Sequence, residues 1–396
     1  MKIAILGCGY VADFYAATVP AHPSLTLASA YDVDPDRTKA FCRGFGGRPC
    51  RSLEELLEDD EVELVLNLTN PRAHVDTTRA CLEAGKHVYS EKPLAMEPAA
   101  AESLRRLAEE RGLRLGSAPC SVLGRTAQTA WKAIREGAIG RVRLVYANYD
   151  DGLFAPRKRP WEWRSATGAH WPARDEFEVG CTFEHAGYLL TWLAAFFGPA
   201  RRVTSFSSCR IPDKGIDVDG MAPDFSVGCL EYDDDVVVRL TCGMLAPADK
   251  SLLVIGDEGH LLVDELRNDT APVLVRRAPL EGSLGLVERV VDRVRRWTAG
   301  AERRLPWPAA PTRLYRRYPP VDVGGPPARA AADKPVDFML GVRDMADAIA
   351  AGRPHRLSAE LAVHVVELVE ALQHPERRGH HRTIDSSFPA IEPLAE

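Results

Sequence analysis

The sequence predicts an α/β domain followed by an α+β domain. The first is built on a doubly wound parallel sheet, and the second on an open antiparallel sheet covered by helices on one face. Three observations predict this order. Strand and helix signals alternate over residues 1–120, a glycine-rich turn follows the first strand, and strands separated by turn signals dominate after Gly140. We expect residues 1–122 to form the first domain and residues 123–396 the second.

The first domain contains five candidate strands. Each is a short apolar run, mostly without clean alternation of apolar and polar residues, which is typical of strands buried on both faces. The candidates span residues 2–6, 25–31, 62–68, 87–90 and 113–117. Helical patterns at 75–84 and 98–111 lie between them, and strands that alternate with helices at this spacing predict a parallel sheet.

The second domain has a different pattern, in which several strands alternate apolar with polar residues. The strand candidates span 141–149, 203–208, 225–232, 236–244 and 252–255, and the helix candidates span 182–197, 337–351 and 358–373. Ser358 is the expected N-cap of the last helix. Helices on one face leave the other face of the sheet exposed, so we expect a homodimer or a homotetramer.

Composition excludes several classes of protein. The net charge of −6 argues against a protein that binds nucleic acid over its whole surface. No run approaches the length of a membrane-spanning helix, and the apolar N-terminus lacks the features of a secretory signal. The nine cysteines form no CxxC pair, so we expect neither a zinc site nor a disulfide framework. These observations predict a reduced, cytoplasmic protein without a bound metal.

Residues 268–335 form a predicted basic, proline-rich insertion. Within it, residues 276–329 hold twelve Arg and no Lys against five Asp and Glu, and residues 286–297 carry an apolar helical stripe. Three interpretations stay open: peripheral contact with a diphosphate-linked or anionic-lipid-linked sugar, contact with an acidic patch on another subunit, or a solvated extension.

The motif Gly7-Cys8-Gly9-Tyr10-Val11-Ala12 predicts a dinucleotide-binding turn of the Rossmann type. Gly7 permits a tight turn, Gly9 lets the backbone approach a pyrophosphate, and Ala12 lets a helix pack on the strand. The motif follows a strand and opens a helix, and Asp32 stands twenty residues after Ala12. A plain glycine turn in an α/β core is the alternative.

Asp32 bears on the choice of cofactor. Its carboxylate is expected to accept hydrogen bonds from the ribose 2′-hydroxyl and to repel a 2′-phosphate. Arg37 is a basic residue further downstream, and its position suits the adenine better than a phosphate clamp. The sequence therefore favours NAD, with NADP as the less favoured cofactor.

Two further segments carry a family resemblance. Ser90-Glu91-Lys92-Pro93 follows an apolar strand, and Gly180-Cys181-Thr182-Phe183-Glu184-His185-Ala186-Gly187-Tyr188 begins a helix. With the glycine turn and the late Gly256-Asp257-Glu258-Gly259, they resemble the glucose–fructose oxidoreductase/inositol dehydrogenase (Gfo/Idh/MocA) family over residues 1 to about 375, except 268–335. The resemblance implies an NAD(P)-dependent oxidoreductase that acts on a secondary alcohol or ketone of a sugar, sugar derivative or cyclitol.

The resemblance also implies a role for Lys92 beside the nicotinamide and the reacting hydroxyl. An ammonium at this place stabilises the alkoxide that develops as hydride leaves. Glu91 and Pro93 flank Lys92 at the cofactor, and relatives commonly have a cis bond before this proline. A solvated surface lysine is the alternative interpretation.

The helix departs from the family pattern, because relatives carry Asp and, four residues later, His. This sequence has Glu184 and Tyr188 there, and residues four apart share one helix face. We predict Tyr188 as the proton shuttle and Glu184 as the residue that orients or binds a substrate hydroxyl. His185 is the competing base, because imidazole titrates near neutral pH. A core tyrosine with a satisfied histidine is the remaining alternative.

Other candidates rest on position alone. Asn67, Thr69 and Asn70 end a strand of the first domain, where loops meet the cofactor. His74 is either beside the nicotinamide or simply the start of a helix. Trp163 and Arg164 belong to an aromatic and cationic segment that suits sugar binding or, equally, a subunit contact.

Two other functions remain open at this stage. Some relatives use transient oxidation to drive glycoside elimination and return NAD to its starting state. A dinucleotide-sensing regulator that keeps the fold without catalysis is the second.

Overall fold

The computed structural model describes residues 1–152, 159–277, 315–323 and 336–394, and every statement below concerns those residues. The N-terminal part contains a six-stranded parallel sheet with strand order β3-β2-β1-β4-β5-β6. Its strands are β1 (Lys2–Leu6), β2 (Thr26–Tyr31), β3 (Arg48–Pro49), β4 (Leu64–Asn67), β5 (His87–Ser90) and β6 (Leu115–Ser117). Its helices are α1 (Ala12–Thr18), α2 (Pro35–Phe45), α3 (Leu53–Leu57), α4 (His74–Glu83) and α5 (Pro98–Glu110).

This sheet confirms the predicted doubly wound domain. The five predicted strands are all present, and β3 is an addition that sequence patterning could not find because it has only two residues. The strand order reverses between β1 and β4, so the loops after these two strands open a crevice at their carboxyl ends. Gly7 lies at this point with φ 96°, and a Cβ there would come within 2.6 Å of the Leu68 carbonyl oxygen. Only glycine fits this close approach of the two loops.

The second part contains a nine-stranded sheet in the order β14-β13-β12-β11-β7-β10-β9-β8-β15. Its strands are β7 (Val142–Asp150), β8 (Arg202–Ser208), β9 (Phe225–Glu231), β10 (Val237–Gly243), β11 (Leu252–Gly256), β12 (Gly259–Val263), β13 (Leu274–Arg277), β14 (Arg316–Arg317) and β15 (His381–Thr383). Its helices are α6 (Arg125–Arg135), α7 (Ala173–Val179), α8 (Cys181–Phe197), α9 (Leu340–Ala351), α10 (Ala359–Gln373) and α11 (Pro375–Arg378).

The second sheet corrects the expectation of a purely antiparallel arrangement. Strands β7 and β10 pair in parallel, with Val237 opposite Leu144, whereas the other paired strands of this sheet are antiparallel. The direction of a partner is set by the path of the chain between two strands, and the apolar pattern of each strand does not record it. The sheet is therefore mixed and largely antiparallel.

The predicted insertion is partly built into this sheet. Strand β13 pairs with β12 and with β14, so residues 274–277 and 316–317 of the 268–335 segment extend the sheet edge. The helical stripe at 286–297 lies outside the described residues. The role of this basic segment thus stays a prediction, while its residues 274–277 belong to the second sheet.

Helix α8 runs through the core and carries the predicted polar site residues. Fifteen of its seventeen residues are buried, including Glu184, His185 and Tyr188. The Gln373 side chain accepts hydrogen bonds from the backbone N–H groups of Thr182 and Phe183, which caps the start of the helix. A helix buried all round has no solvated face, so its polar side chains need partners or a cleft.

The last long helix joins the two sheets. Ser358 caps α10 as predicted, because its hydroxyl accepts from the backbone N–H of Leu361 at 3.4 Å. Ala359, Ala362 and Val366 of α10 belong to the same apolar cluster as residues of the first sheet. The predicted boundary at residue 122 stays a prediction, although α10 packs against both sheets. Among the described residues, no helix is long and apolar enough to cross a bilayer.

Candidate active site

A cleft of about 470 Å³ opens at the carboxyl ends of the first sheet, between the glycine turn and helix α8. Twelve of the predicted site residues line it: Gly9, Tyr10, Val11, Arg37, Thr69, Asn70, Glu91, Lys92, Trp163, Glu184, His185 and Tyr188. The other predicted residues lie behind this wall or outside it, and their positions are given below. The sequence thus located most of one site from segments far apart in the chain.

The glycine turn presents bare backbone to the cleft. A Cβ built on Gly9 would meet no heavy atom within 4 Å, so the space beside it is open. Ala12 is fully buried behind the turn, where helix α1 packs on strand β1. This arrangement fits a group as close to the backbone as a pyrophosphate, because neither glycine places a side chain in the way.

Asp32 ties the glycine turn to the end of β2. Its Oδ2 atom accepts a hydrogen bond from the backbone N–H of Cys8 at 2.8 Å, and its Oδ1 atom accepts from Asp34 at 2.8 Å. The residue is largely buried and does not line the cleft. Each carboxylate oxygen keeps further acceptor capacity, so the predicted ribose contact stays open.

Lys92 and Glu184 form an ion pair across the cleft. Lys92 Nζ contacts Glu184 Oε2, which joins the segment after β5 to helix α8. Burial lowers the pKa of Lys92, but the neighbouring charges, above all that of Glu184, outweigh burial and hold this pKa well above its usual value. Lys92 is therefore a fixed ammonium, held in place by a carboxylate that is itself 3% exposed.

Glu176, on helix α7, completes this cluster and was not predicted. Burial raises the pKa of Glu176 well above its usual value, and the charge of Glu184 raises it further. Burial and Glu184 thus favour the protonated form of Glu176, which donates a hydrogen bond to Glu184. The two glutamates form one acid–carboxylate pair beside Lys92. No local motif marks Glu176, because the acidic stretch of α7 is typical of any helix N-terminus.

His185 lies in a second charged cluster. His185 Nε2 is 2.9 Å from Asp151 Oδ2, and Lys250 Nζ is 2.8 Å from Asp151 Oδ1. Burial raises the pKa of Asp151, but His185 and Lys250 outweigh it and bring the pKa well below the usual value. The Nδ1 atom of His185 is buried and has no hydrogen-bond partner in the described parts of the chain. Asp151 thus orients the imidazole through Nε2.

Tyr188 lies where the charges of both Lys92 and Arg267 act on its hydroxyl. Its ring is stacked at 5.3 Å on that of Tyr149, and the Arg267 guanidinium carbon lies 4.5 Å from its ring centroid. Burial raises the pKa of Tyr188 in spite of the charges of Arg267 and Lys92, which lower it. The predicted proton shuttle is therefore a neutral phenol at neutral pH, which makes it a proton donor before it is a base.

Glu91 lines the cleft, whereas Asn67 and His74 brace it from behind. Glu91 accepts hydrogen bonds from the Tyr15 hydroxyl at 2.9 Å and from the Lys92 backbone N–H at 2.9 Å. Asn67 is fully buried and donates to Thr77 and Thr78 on α4 at 2.8 and 2.9 Å. These bonds fix the loops that present Lys92 and Thr69.

His74 is fully buried and does not line the cleft. Its Nδ1 atom is 2.6 Å from the Pro93 carbonyl oxygen, and its Nε2 atom is 2.9 Å from the Thr69 carbonyl oxygen. Burial lowers the pKa of His74, so a neutral ring is favoured. His74 thereby links the loops after β4 and β5. The Lys92–Pro93 peptide bond is cis, as the resemblance implies.

The aromatic segment is split between the cleft and the solvent. Trp163, His170 and Trp171 line the cleft, whereas Arg164 is exposed and donates to the Gly168 carbonyl oxygen at 3.2 Å. The prediction that Arg164 binds substrate has no support in this geometry, because the hairpin formed by residues 163–171 turns its side chain outward. Among the described residues there is no cluster of side chains suited to a metal ion, so the expected absence of a metal stays a prediction.

Five residues of the site carry no sequence signal strong enough to predict them. They are Tyr149, Asp151, Glu176, Lys250 and Arg267. Asp151 follows strand β7, and Lys250 precedes strand β11. These two strands pair antiparallel, which brings the end of β7 and the start of β11 together. Only the strand order of the second sheet places them in the cleft.

Comparison with known proteins identifies the same two-part organisation. The model of the Gfo/Idh/MocA oxidoreductase family, described as an NAD-binding Rossmann fold, matches residues 1–118, and the model of that family's C-terminal domain matches residues 127–262. The NADP⁺-dependent scyllo-inositol 2-dehydrogenase of Bacillus subtilis is 25% identical over 209 residues, which are 52% of this chain and 54% of that protein. The chain thus spans about half the length of this curated relative.

Solved structures resemble the whole chain. The WlbA dehydrogenase of Bordetella pertussis, solved with NADH and UDP-GlcNAcA, has a TM-score of 0.67 and 17% identity, covering 97% of this chain and 98% of that one. A 3-ketoreductase of Actinomadura kijaniata, solved with TDP-benzene and NADP, has a TM-score of 0.67 and 20% identity, covering 96% and 97%. At these identities the likeness establishes the fold.

Proposed function

The chain belongs to the Gfo/Idh/MocA oxidoreductase family, and on this premise we propose that it transfers hydride between a nicotinamide cofactor and the secondary alcohol or ketone carbon of a sugar, sugar derivative or cyclitol. The observation that carries the proposal is the ion pair of Lys92 and Glu184. It holds an ammonium beside the phenol of Tyr188, in a cleft that opens onto the bare backbone of Gly9.

The residues that would hold the cofactor are those of the glycine turn and the loop after β4. Gly9, Tyr10 and Val11 would contact the pyrophosphate region, and Thr69 and Asn70 lie beside them in the cleft. The bound cofactor supplies the hydride acceptor or donor at its nicotinamide. NAD is the proposed cofactor, because a 2′-phosphate would approach the carboxylate of Asp32; the named relatives include users of either cofactor.

Lys92 and Tyr188 would act on the substrate oxygen. The ammonium of Lys92 stabilises negative charge on that oxygen, and the neutral phenol of Tyr188 donates the proton that converts an alkoxide into an alcohol. Glu184 orients Lys92, and protonated Glu176 donates a hydrogen bond to Glu184. Alcohol oxidation runs the same steps in reverse and needs Tyr188 to accept the proton.

His185 is the weaker candidate for the proton transfer. Its Nε2 atom is engaged by Asp151, its Nδ1 atom is buried, and its ring is stacked on that of Tyr149 with the two ring centroids 4.6 Å apart. We therefore propose that His185 shapes the cleft wall and that Tyr188 carries the proton.

The oligomeric state and the cellular location of the protein are also proposals. Leu144 and Phe206 are exposed large apolar side chains on the second sheet, and covering them favours a homodimer or a homotetramer. We propose a cytoplasmic location, because nine cysteines that are all free suit a reducing compartment.

The decisive test is turnover with NAD and with NADP on free, nucleotide-linked and lipid-linked sugars. We expect net reduced cofactor in proportion to oxidised sugar, with NAD preferred. Product without net reduced cofactor would instead indicate elimination driven by transient oxidation. Binding of NADH with no turnover on any sugar of the panel would indicate a sensing protein.

A further inference from the structure

Among the described residues, Arg267 differs from Lys92 and Lys250 in forming no ion pair with a carboxylate, although the charge of Asp151 acts on its guanidinium. Lys92 is paired with Glu184, and Lys250 is paired with Asp151. The Arg267 side chain forms no ion pair with any carboxylate of residues 1–152, 159–277, 315–323 or 336–394. Its Nη1 atom donates to the Tyr149 hydroxyl at 3.1 Å, and its backbone N–H donates to Glu265.

The position of Arg267 in the cleft is fixed by two aromatic rings. Tyr149 accepts one of its hydrogen bonds, and the ring of Tyr188 lies 4.5 Å below the guanidinium carbon. A guanidinium has five N–H donors, so four stay without a partner in the described residues. Placing an unpaired charge in a partly closed cleft costs free energy unless an anion occupies it. The protein thus holds a cation ready at a fixed place.

That place lies next to the proposed site of reaction. Tyr188 is in contact with Arg267 through its ring, and the charges of both Arg267 and Lys92 act on its hydroxyl. A substrate whose oxygen meets Lys92 and Tyr188 therefore has its neighbouring substituents within reach of Arg267.

We propose that Arg267 binds a carboxylate of the substrate, so that the substrate is an acidic sugar such as a hexuronate or an aldonate. The planar guanidinium matches a carboxylate with two parallel hydrogen bonds. A phosphate dianion fits less well, because one unpaired cation balances only half of its charge. This inference rests on the proposed function, since it assumes that the cleft binds a sugar.

The test is equilibrium binding by calorimetry to the protein saturated with NADH. Each probe is a matched pair: glucuronate and glucose, galacturonate and galactose, gluconate and glucitol, and UDP-glucuronate and UDP-glucose. We expect at least one acid to bind about 10- to 100-fold more tightly than its neutral partner, as a charge-assisted hydrogen-bonded pair would give. The corresponding hexose 6-phosphates are included as a separate set.

Variants connect the preference to this side chain. Arg267→Gln should abolish the preference for the acid, and Arg267→Lys should keep part of it because the charge remains without the planar fork. Arg239→Gln is the matched control, since Arg239 lies 4.4 Å above the ring of Tyr146 on the sheet and outside the cleft. Thermal unfolding of every variant verifies that it is folded.

Three results of the binding experiments would overturn the inference. They are an absence of any acid that binds better than its neutral partner, an Arg267→Gln variant that keeps the preference, and tighter binding of the 6-phosphates. Acid binding that depends on Arg267 without any turnover would contradict the proposed function and leave this inference standing. Turnover confined to neutral sugars would support the proposed function and contradict this inference.

Discussion

Thr167 donates two hydrogen bonds to the carboxylate of Asp13. The backbone N–H reaches Oδ2 at 2.7 Å, and the hydroxyl reaches Oδ1 at 2.9 Å. Asp13 lies on helix α1 directly after the glycine turn, and Thr167 lies in the 163–171 hairpin, which supplies Trp163 and Trp171 to the cleft wall. The contact therefore ties a wall of the cleft to the helix beside the proposed pyrophosphate site.

We expect loss of this tie to speed release of the cofactor. Thr167→Val removes one of the two bonds and should raise the NADH dissociation rate about 3- to 10-fold. This change corresponds to roughly 0.7–1.4 kcal/mol, a part of the roughly 1.5–3 kcal/mol that a hydrogen bond to a charged group contributes. Asp13→Ala removes both bonds and should have the larger effect. Stopped-flow fluorescence of NADH release measures the rates.

Thr270→Val is the control for this experiment. Within the described parts of the chain, the Thr270 hydroxyl bonds to Asn268 alone, at 2.7 Å on the surface, so its loss should leave NADH release unchanged. Equal dissociation rates for Thr167→Val and the unmodified protein would show that the hairpin does not retain the cofactor.

Replacement of Lys92 should separate binding from turnover. Lys92→Met removes the ammonium, and we expect kcat to fall about 100- to 1,000-fold, the usual cost of losing one electrostatic contact to the reacting oxygen. The Kd for NADH should change little, because the glycine turn lies elsewhere in the cleft. Lys132→Met on α6, where Lys132 pairs with Glu136, is a matched control away from the site. An unchanged kcat in Lys92→Met would remove Lys92 from the mechanism.

The parts of the site that sequence could predict are those with a local spacing. Lys92 follows a strand within a short motif, and Glu184 and Tyr188 are four residues apart on one helix. Each could therefore be predicted as a site residue without knowledge of the fold. The predicted cofactor contacts of His74 and Asn67 stay predictions, and their hydrogen bonds go to loop backbone and to α4, which no spacing reveals.

The parts that sequence could not predict depend on pairing between distant strands. Arg267 follows β12, and Asp151 follows β7. Neither belongs to a motif, and the order of the nine-stranded sheet alone brings them to Tyr188 and His185. The parallel pairing of β7 with β10 has the same origin. Residue type and periodicity describe one element at a time, whereas a site in this sheet is defined by which elements become neighbours.

The raised pKa of Tyr188 predicts opposite pH dependences for the two directions of reaction. Burial keeps the phenol protonated near neutral pH. Ketone reduction uses this form, so its rate should be constant at neutral pH and fall once the pH rises through the raised pKa. Alcohol oxidation needs the phenolate and should accelerate with pH over the same range. Tyr188→Phe should lower kcat in both directions and remove these two profiles, as measured from kcat between about pH 6 and about pH 11. Profiles that persist in the variant would assign the proton to another group, with His185 the first to test.

The raised pKa of Glu176 predicts a stability that declines with pH. In the unfolded chain this carboxyl has an ordinary pKa, whereas in the folded protein burial and Glu184 hold the pKa well above it. The folded state thus binds a proton that the unfolded state has released. The contribution of Glu176 to the free energy of unfolding is complete below the ordinary pKa of this carboxyl. It is lost as the pH rises through the pKa that Glu176 has in the folded protein.

Glu176→Gln should remove that dependence, because the amide imitates the protonated acid and still donates a hydrogen bond to Glu184. We expect the free energy of unfolding of this variant, measured in urea, to vary less from about pH 5 to about pH 9 than that of the unmodified protein. Glu178→Gln is the matched control on the same helix, where the carboxylate pairs with Arg72 at 2.6 Å and should keep the original pH dependence. A Glu176→Gln variant whose stability falls with pH as steeply as before would mean that Glu176 is ionised in the folded protein, and the acid–carboxylate pair beside Lys92 would have to be abandoned.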